Sequence, residues 1–357
     1  MGNMKMPYQK PERGFTLLEL MVSMAVGLIV MAAMASLFKT GMDSTMLVTQ
    51  RAETQQNMRA AIDLMVKDIS MAGAGLPSGG IQLPTGAGSA AAKFGCDQGG
   101  ICHVPAFNYP ANYMYGLIPG FSNGVEANAV IPAAPAPAIN DSITSIYADY
   151  NFPLWEYNVT FVGGTGVTLT PNPTFVPAPP AVNSAGGILV GDLIMLSNSV
   201  GTAVGEVTGV TATGLTFNNL DALNINQTGA ATNNITAISG GATTVVYRLY
   251  AVTYYLTVPA AGETPRLMRQ VNGLSPVPVA DDIINLQFAY DTYNSTTAAL
   301  DANQANPLGV AESPNNIQKV NIIVMGQSII NHGNKSQNMY LATSVSARNM
   351  AFRNRYQ

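Results

Sequence analysis

Charge is scarce in this chain. Of 357 residues, 16 are Lys or Arg and 20 are Asp or Glu, 10% in all. The polar surface must then come mainly from Asn, Thr, Ser and Gln. Together with 34 Gly and 22 Pro, this composition favours β-strands joined by many turns over a helical bundle. A net charge of −4 gives no overall attraction for nucleic-acid phosphates, so no nucleic-acid partner is expected. Arg348, Arg353 and Arg355 make the end of the chain locally basic and read as a solvated terminus. Histidine is scarcer still. His103 and His332 are the two in the chain, and neither sits in a nucleophile elbow or a metal-binding motif. An enzyme is therefore not expected, nor is a cofactor. The paired carboxylates Asp281-Asp282 read as a turn before a strand. Those two, and the group Asp291, Asn294 and Asp301, are the remaining candidates for calcium, but neither has EF-hand spacing.

Cysteine is limited to Cys96 and Cys102, in Gly95-Cys-Asp-Gln-Gly-Gly-Ile-Cys-His103. Five intervening residues suit a small disulfide loop in an oxidising compartment. A metal site using the adjacent His103 is the rival. It lacks a nearby fourth ligand, and the spacing is neither that of a zinc knuckle nor the C-x-x-C-H of haem attachment. A disulfide is the expectation, with free thiols and a metal site as alternatives.

Proline is missing from Gly14 to Leu76, and that absence permits a long helix. Residues 1–14 are polar and basic. Phe15 to Phe38 then form an apolar stretch long enough to cross a bilayer as a helix, closed by Lys39. Lys5, Lys10 and Arg13 precede it, which sets the N-terminus in the cytoplasm and the rest outside. Glu19 is the exception within the stretch. A carboxylate costs about 2.5–3.5 kcal/mol at mid-bilayer and less toward the interface, so it needs a partner. The four residues before it hold none. A cut after Gly14 would give Phe15 a new α-amine, able to answer the carboxylate of a neighbouring copy and so set the axial register of packed helices.

Gly14-Phe-Thr-Leu-Leu-Glu19-Leu resembles the processing motif of type IV prepilins and type II secretion pseudopilins: a basic leader, Gly, an apolar residue, Glu four positions on, then an apolar helix. The resemblance implies that a prepilin peptidase cuts after Gly14 and methylates the amine of Phe15, and that Glu19 serves assembly. Removal of the leader takes away Lys5, Lys10 and Arg13 against one acid, Glu12, and leaves a more acidic chain. Two plainer readings compete. Ala33-Met-Ala35 matches an ordinary signal-peptidase site, but a carboxylate inside the apolar core and the length of the run argue against it. A simple single-pass anchor would leave Glu19 reaching for the membrane surface.

Past Phe38 the helical pattern continues. Met58, Ala61, Ile62, Met65, Ile69 and Ala72 recur at three- and four-residue steps as one apolar stripe, while Arg59, Asp63 and Lys67 occupy another face. Gly73, Gly75 and Pro77 end the helix, which from Phe15 to Ala72 would run roughly 85 Å. Residues 74–140 read as Gly/Ala/Pro-rich loops. Strands are expected at Ser142–Tyr147, Glu156–Val162, Asp192–Ser197, Ala203–Thr211 and Leu215–Phe217, the last three as a small meander. Gly163-Gly-Thr-Gly precedes no helix and reads as a turn. The last third promises the best-formed sheet: Thr244–Val258, Pro265–Val271, Asn285–Thr292, Lys319–Ser328 and Asn338–Ser346, with a polar loop at Asn294–Pro314.

The expected fold class is α+β: a long N-terminal membrane or filament helix packed on a β-rich head, the pilin-like lollipop, with an antiparallel sheet and a loop-rich insertion. The segments are a leader at 1–14, the helix at 15–73 with 15–38 transmembrane, a β insertion at 74–243 and a C-terminal sheet region at 244–357. Met65-Val-Lys-Asp-Ile-Ser-Met-Ala-Gly73, Val246-Tyr-Arg-Leu-Tyr250, Arg266-Leu-Met-Arg269, Ile283–Phe288, Val320–Val324 and Ser346–Asn349 further resemble, in that order, the PilW-like minor pilins. That resemblance implies a minor pilin of a type IV pilus, partnered by other minor pilins, the major pilin, the prepilin peptidase and the inner membrane. Its head would lie in the periplasm and later on the pilus. A J-class type II secretion pseudopilin and a membrane-anchored adhesin are the alternatives.

Overall fold

The computed structural model describes residues 14–84, 92–103, 113–122, 140–227, 229, 232–258, 263–307, 313–328 and 337–351. The chain divides into two compact units, Met1–Glu53 and Thr54–Gln357. A single helix, α1 (Leu17–Ser70), contributes to both. It is rich in Ala, Leu and Met and free of Pro, so little in its sequence opposes the helical backbone.

In the first unit α1 has no buried side chain (residues 17–53 are exposed throughout except for Asp43, Leu47 and Gln50, which are half-buried). In the second unit the expected stripe is buried: Met58, Ala61, Ile62, Met65 and Ile69 are each at most 5% exposed, while Arg59, Asp63 and Lys67 face solvent. The helix ends at Ser70, and the backbone then turns through Gly73 and Gly75, both at positive φ. A side chain at Gly75 would also collide, because a Cβ there would lie 2.5 Å from the Tyr150 hydroxyl and 2.6 Å from the Ala148 Cβ.

Within the second unit the β-structure opens with β1 (Ile81–Gln82) and β2 (Tyr113–Met114), a two-stranded pair. A seven-stranded antiparallel sheet follows. Its centre is β11 (Val245–Thr257), thirteen residues long. One edge of β11 takes β4 (Ser142–Asp149), which in turn pairs with β3 (Leu117–Gly120). The other edge is shared: β7 (Leu193–Ser197) pairs with its first half and β12 (Arg266–Val271) with its second half. Beyond them lie β8 (Thr202–Glu206) and β13 (Val277–Ala280). A second sheet runs β5 (Tyr157–Val162), β6 (Gly166–Pro171), β10 (Gly214–Thr216), β9 (Gly209–Val210). A third runs β15 (Ala299–Gln304), β14 (Ile283–Asn294), β16 (Ile317–Ser328), β17 (Gln337–Ser346). One short helical turn, α2 (Arg348–Ala351), follows.

The stripe of α1 is packed into a core with Val252, Tyr254 and Leu256 of β11 and with the inner residues of β14 and β16, among them Leu286, Phe288, Ile322 and Val324. A second core lies between β5, β6, β10 and the β7–β8 pair, and a third joins Leu76, Ile81 and Met114 to Leu193, Leu249 and Ala251.

Strands from either side of residue 244 therefore share one sheet. Two expectations are corrected. The meander is split, since β7 and β8 join the large sheet while β9 and β10 pair with the β5–β6 hairpin. Local turn signals gave the strand order there but carry no information on which sheet a strand joins. Asn294–Pro314 is not a plain loop: it contains β15, a polar edge strand paired with the end of β14. β13 carries Pro278, tolerated because it lies at a sheet edge beside a shift of register. The turn at Gly163 is where expected, closing the β5–β6 hairpin. The Pro-rich stretch Ile131–Ala138 lies outside the described residues.

Candidate assembly site

Gly14 and Phe15 lead into α1 in exposed backbone, with Phe15 at 88% exposure. Thr16 caps the helix. Its hydroxyl accepts the Glu19 backbone N–H at 3.3 Å, and Glu19 Oε2 in return accepts the Thr16 backbone N–H at 3.0 Å and the Thr16 hydroxyl at 3.1 Å. This is a reciprocal capping box, which satisfies N–H groups that a helix start would otherwise leave open. It corrects the expectation that nothing before Glu19 partners it. A charge was sought, whereas a neutral Thr three residues upstream holds the carboxylate in place. The Thr-x-x-Glu spacing is the signal that announces it.

Beyond Glu19 no further charge occurs until Lys39. Ser23, one of two serines between Glu19 and Lys39 (the other is Ser36), donates its hydroxyl to the Leu20 carbonyl at 2.9 Å, so the helix satisfies it internally. Among the described residues, α1 is the one helix long and apolar enough to cross a membrane. Its Leu, Met, Val and Ile side chains from Leu17 to Leu37 are exposed.

The family model of the prokaryotic N-terminal methylation motif matches residues 9–35. The chain is type IV prepilin-like. The match runs from the basic leader through Gly14, Phe15 and Glu19 to Ala35. It implies processing by a prepilin peptidase, anchoring through α1 and the setting of pilin or pseudopilin assembly. No curated protein and no solved structure matches the chain.

The head buries several charges that sequence reasoning did not single out. Asp68, in the last turn of α1, is 3% exposed. It accepts hydrogen bonds from the Tyr254 hydroxyl at 2.6 Å, the Tyr147 hydroxyl at 2.9 Å and Arg269 Nε at 2.9 Å. Its backbone carbonyl accepts the Ser145 hydroxyl at 2.7 Å. β4, β11 and β12 thus each contribute a donor to the end of α1. Burial, and then the charge of Asp68, push both tyrosine hydroxyls well above their ordinary range and keep them as donors. Arg248 makes a second cluster: its Nε donates to Asp149 at 2.7 Å, its Nη1 donates to the Gly187 carbonyl at 2.9 Å, and Nη1 lies 3.7 Å from Asp192.

Cys96 and Cys102 are joined as a disulfide. His103 does not turn toward a ligand position: its Nε2 lies 3.0 Å from Asp97 Oδ2 and its ring stacks on Tyr255. The loop closed by the disulfide is fastened to the head. The Gln270 amide donates to the Cys96 carbonyl at 2.8 Å, the Gln98 backbone N–H donates to the Gly273 carbonyl at 3.0 Å, and the Gln98 side-chain amide donates to Glu206. Glu206, at the end of β8, is fully buried. It also accepts the Leu223 N–H at 2.7 Å. Burial first, and the adjacent Asp221 carboxylate second, push its carboxyl up to about 8.

The calcium candidates are taken up by protein groups. Asp281 pairs with Arg266 at 2.6 Å in the turn before β14. Asp291 meets Lys319 at 2.9 Å and accepts from Asn303 and Asn321, while Asp301 accepts from Asn294. Among the described residues no group of three or more His, Cys, Asp and Glu gathers in metal-binding geometry. His332, Arg353 and Arg355 lie outside the described residues.

Proposed function

We propose that this chain is a minor pilin of a type IV pilus, a structural subunit rather than an enzyme, cut after Gly14, methylated at Phe15 and then built into the filament. The observation that carries the reading is Glu19. A carboxylate is held by Thr16 at the first turn of an apolar stretch that is exposed throughout and carries no further charge as far as Phe38. A membrane disfavours such a group unless a cation answers it. Cutting after Gly14 creates that cation at Phe15, and within a bundle of processed subunits the α-amine of one copy answers Glu19 of the next. The leader's Lys5, Lys10 and Arg13 favour a head in the periplasm, later on the pilus.

Support for the PilW-like variety comes from where its segments meet. Asp68 of the Met65–Gly73 segment bonds Arg269 of the Arg266–Arg269 segment, and Arg248 of the Val246–Tyr250 segment holds Asp149. The first pair seats the end of α1 on the head, and the second ties β11 to the end of β4. The partners in this reading are other minor pilins, the major pilin, the prepilin peptidase and the inner membrane.

The experiment is N-terminal sequencing of protein taken from cells, with intact mass. The reading requires a chain beginning at Phe15 with one added methyl group. A start at Ser36 would show an ordinary signal peptide, and an uncut leader would show a simple anchor; either overturns it.

A further inference from the structure

β17 is the longest edge strand among the described residues, ten residues against β16 with no shift of register. Edge strands of stable proteins are commonly blunted by brevity, proline, charge or bulges, because an open row of N–H and C=O groups recruits other strands. The other edges here follow that rule. β9 has two residues, β3 has four with Pro119, and β13 has four with Pro278 and a register shift. β15 carries Asp301 and a register shift, β8 has five residues, β5 has six, and β1 and β2 have two each. β17 reads Gln-Asn-Met-Tyr-Leu-Ala-Thr-Ser-Val-Ser, with no charge, proline or glycine.

The register says which groups are open. Ala347 donates its N–H to the Gln318 carbonyl at 2.9 Å, in line with the Lys319–Ser346 pair. Antiparallel ladders alternate, so the odd-numbered residues of β17 exchange backbone bonds with β16. Asn338, Tyr340, Ala342, Ser344 and Ser346 turn their N–H and C=O outward. The same five residues have exposed side chains. Among the described residues no strand pairs with that edge.

We infer that β17 pairs antiparallel with β17 of a second copy of this chain, with the two-fold axis at Ala342. Five outward residues centred on Ala342 are self-complementary. Ala342 faces its own equivalent, Tyr340 faces Ser344, and Asn338 faces Ser346, so every open group is answered by about ten backbone hydrogen bonds and none is left over. The side chains fit as well. The large Tyr340 meets a small Ser344, the axis passes between two methyl groups, and no like charges meet. An isologous contact of this kind closes on two copies. It is therefore a dimer of the free subunit, which gives way when the subunit enters a growing filament. The inference does not depend on which filament that is.

The test uses the full-length chain in native membranes and in detergent. With Cys96 and Cys102 already paired, an Ala342→Cys variant carries one free thiol. A short bis-maleimide should link it into a homodimer through a 342–342 peptide. Ala342→Lys should reduce the dimer at least tenfold, judged by light scattering in detergent, while thermal unfolding of the head stays unchanged because the position is exposed. Mixing Ala342→Lys with Ala342→Asp should restore a mixed dimer. A monomeric wild-type chain, a 342 thiol that links only to a different polypeptide, a dimer that survives Ala342→Lys, or no rescue by the opposite charge would each overturn the inference. If both charged variants fail to fold, the 342–342 cross-link decides alone.

Discussion

Raising the pH should weaken this head, and Glu206 is the main reason. In the unfolded chain its carboxyl ionises near 4.5, whereas in the folded head burial and the Asp221 carboxylate hold the proton to about 8. Below 4.5 both states carry the proton and the folded state bears no penalty. Between 4.5 and 8 the unfolded chain releases a proton that the folded head retains, so stability falls as pH rises. The slope approaches 1.4 kcal/mol per pH unit, giving an upper limit of about 5 kcal/mol over the window. Above 8 the head holds two carboxylates side by side and stability stops falling. Glu206→Gln keeps an acceptor for the Leu223 N–H and offers Asp221 an amide donor, but gives up the hydrogen bond that Glu206 accepts from the Gln98 amide. The variant should lie about 1 kcal/mol below the wild type near pH 5 and exceed it by a few kcal/mol at pH 8. Asp141 and Asp192 are also raised by burial and leave a residual slope of the same sign. The assay is denaturant unfolding at pH 5, 6.5 and 8, followed by tryptophan fluorescence. Parallel curves for wild type and Glu206→Gln across that range would refute the reasoning.

Three further outcomes are expected. Arg269→Met leaves the buried Asp68 without its cation and should destabilise the head by about 3–5 kcal/mol, with membrane insertion of the first unit unchanged; a loss under 1 kcal/mol in denaturant unfolding would show that the two tyrosines suffice. Replacing Cys96 and Cys102 together by Ser should lower stability by about 2 kcal/mol, since the closed loop is short, and should expose residues 97–101 to limited proteolysis while Gln270 and Glu206 lose their contacts to the loop; resistance equal to wild type would mean that those hydrogen bonds hold the loop unaided. Glu19→Ala should leave head unfolding unchanged and membrane insertion intact, yet abolish co-assembly with filament subunits in a piliation assay, and wild-type assembly would remove the proposed role of the carboxylate.

The parts of this chain that were legible in the sequence are those decided by local rules. The α1 stripe from Met58 to Ala72 could be read because helical periodicity is fixed by 3.6 residues per turn, and Gly73 and Gly75 gave its end because positive φ selects glycine. Strands of the last third, such as Val245–Thr257 and Ile317–Ser328, fall within two residues of expectation at most of their ends because they are long and rich in β-branched and aromatic residues. Ala299–Gln304 escaped notice because a polar edge strand has the composition of a loop. The sorting of β7 to β10 between two sheets escaped as well, because it is decided by which apolar faces meet in space.

The buried charges show the same boundary from the other side. Asp68 sits one residue from Lys67, and from the sequence both belong to the polar content of one helix. Lys67 is exposed and Asp68 is 3% exposed, a difference of about 100° around the axis. That rotation places Asp68 beside the buried stripe, where Tyr147, Tyr254 and Arg269 converge from three strands up to 201 residues away. Nothing local marks the carboxylate, because its partners are brought together only by the register of β4, β11 and β12. Glu19 is the reverse case. Its partner in the free chain is Thr16, three residues away, and the meaning of its position comes from the apolar run that follows. Asp68 and Glu19 thus divide the helix by function: Asp68 binds it to its own head with neutral and cationic donors already in place, while Glu19 is held ready by a neutral cap. A neutral cap does not offset the charge of Glu19, which forms no ion pair among the described residues, and that charge is what a processed neighbour's α-amine would answer.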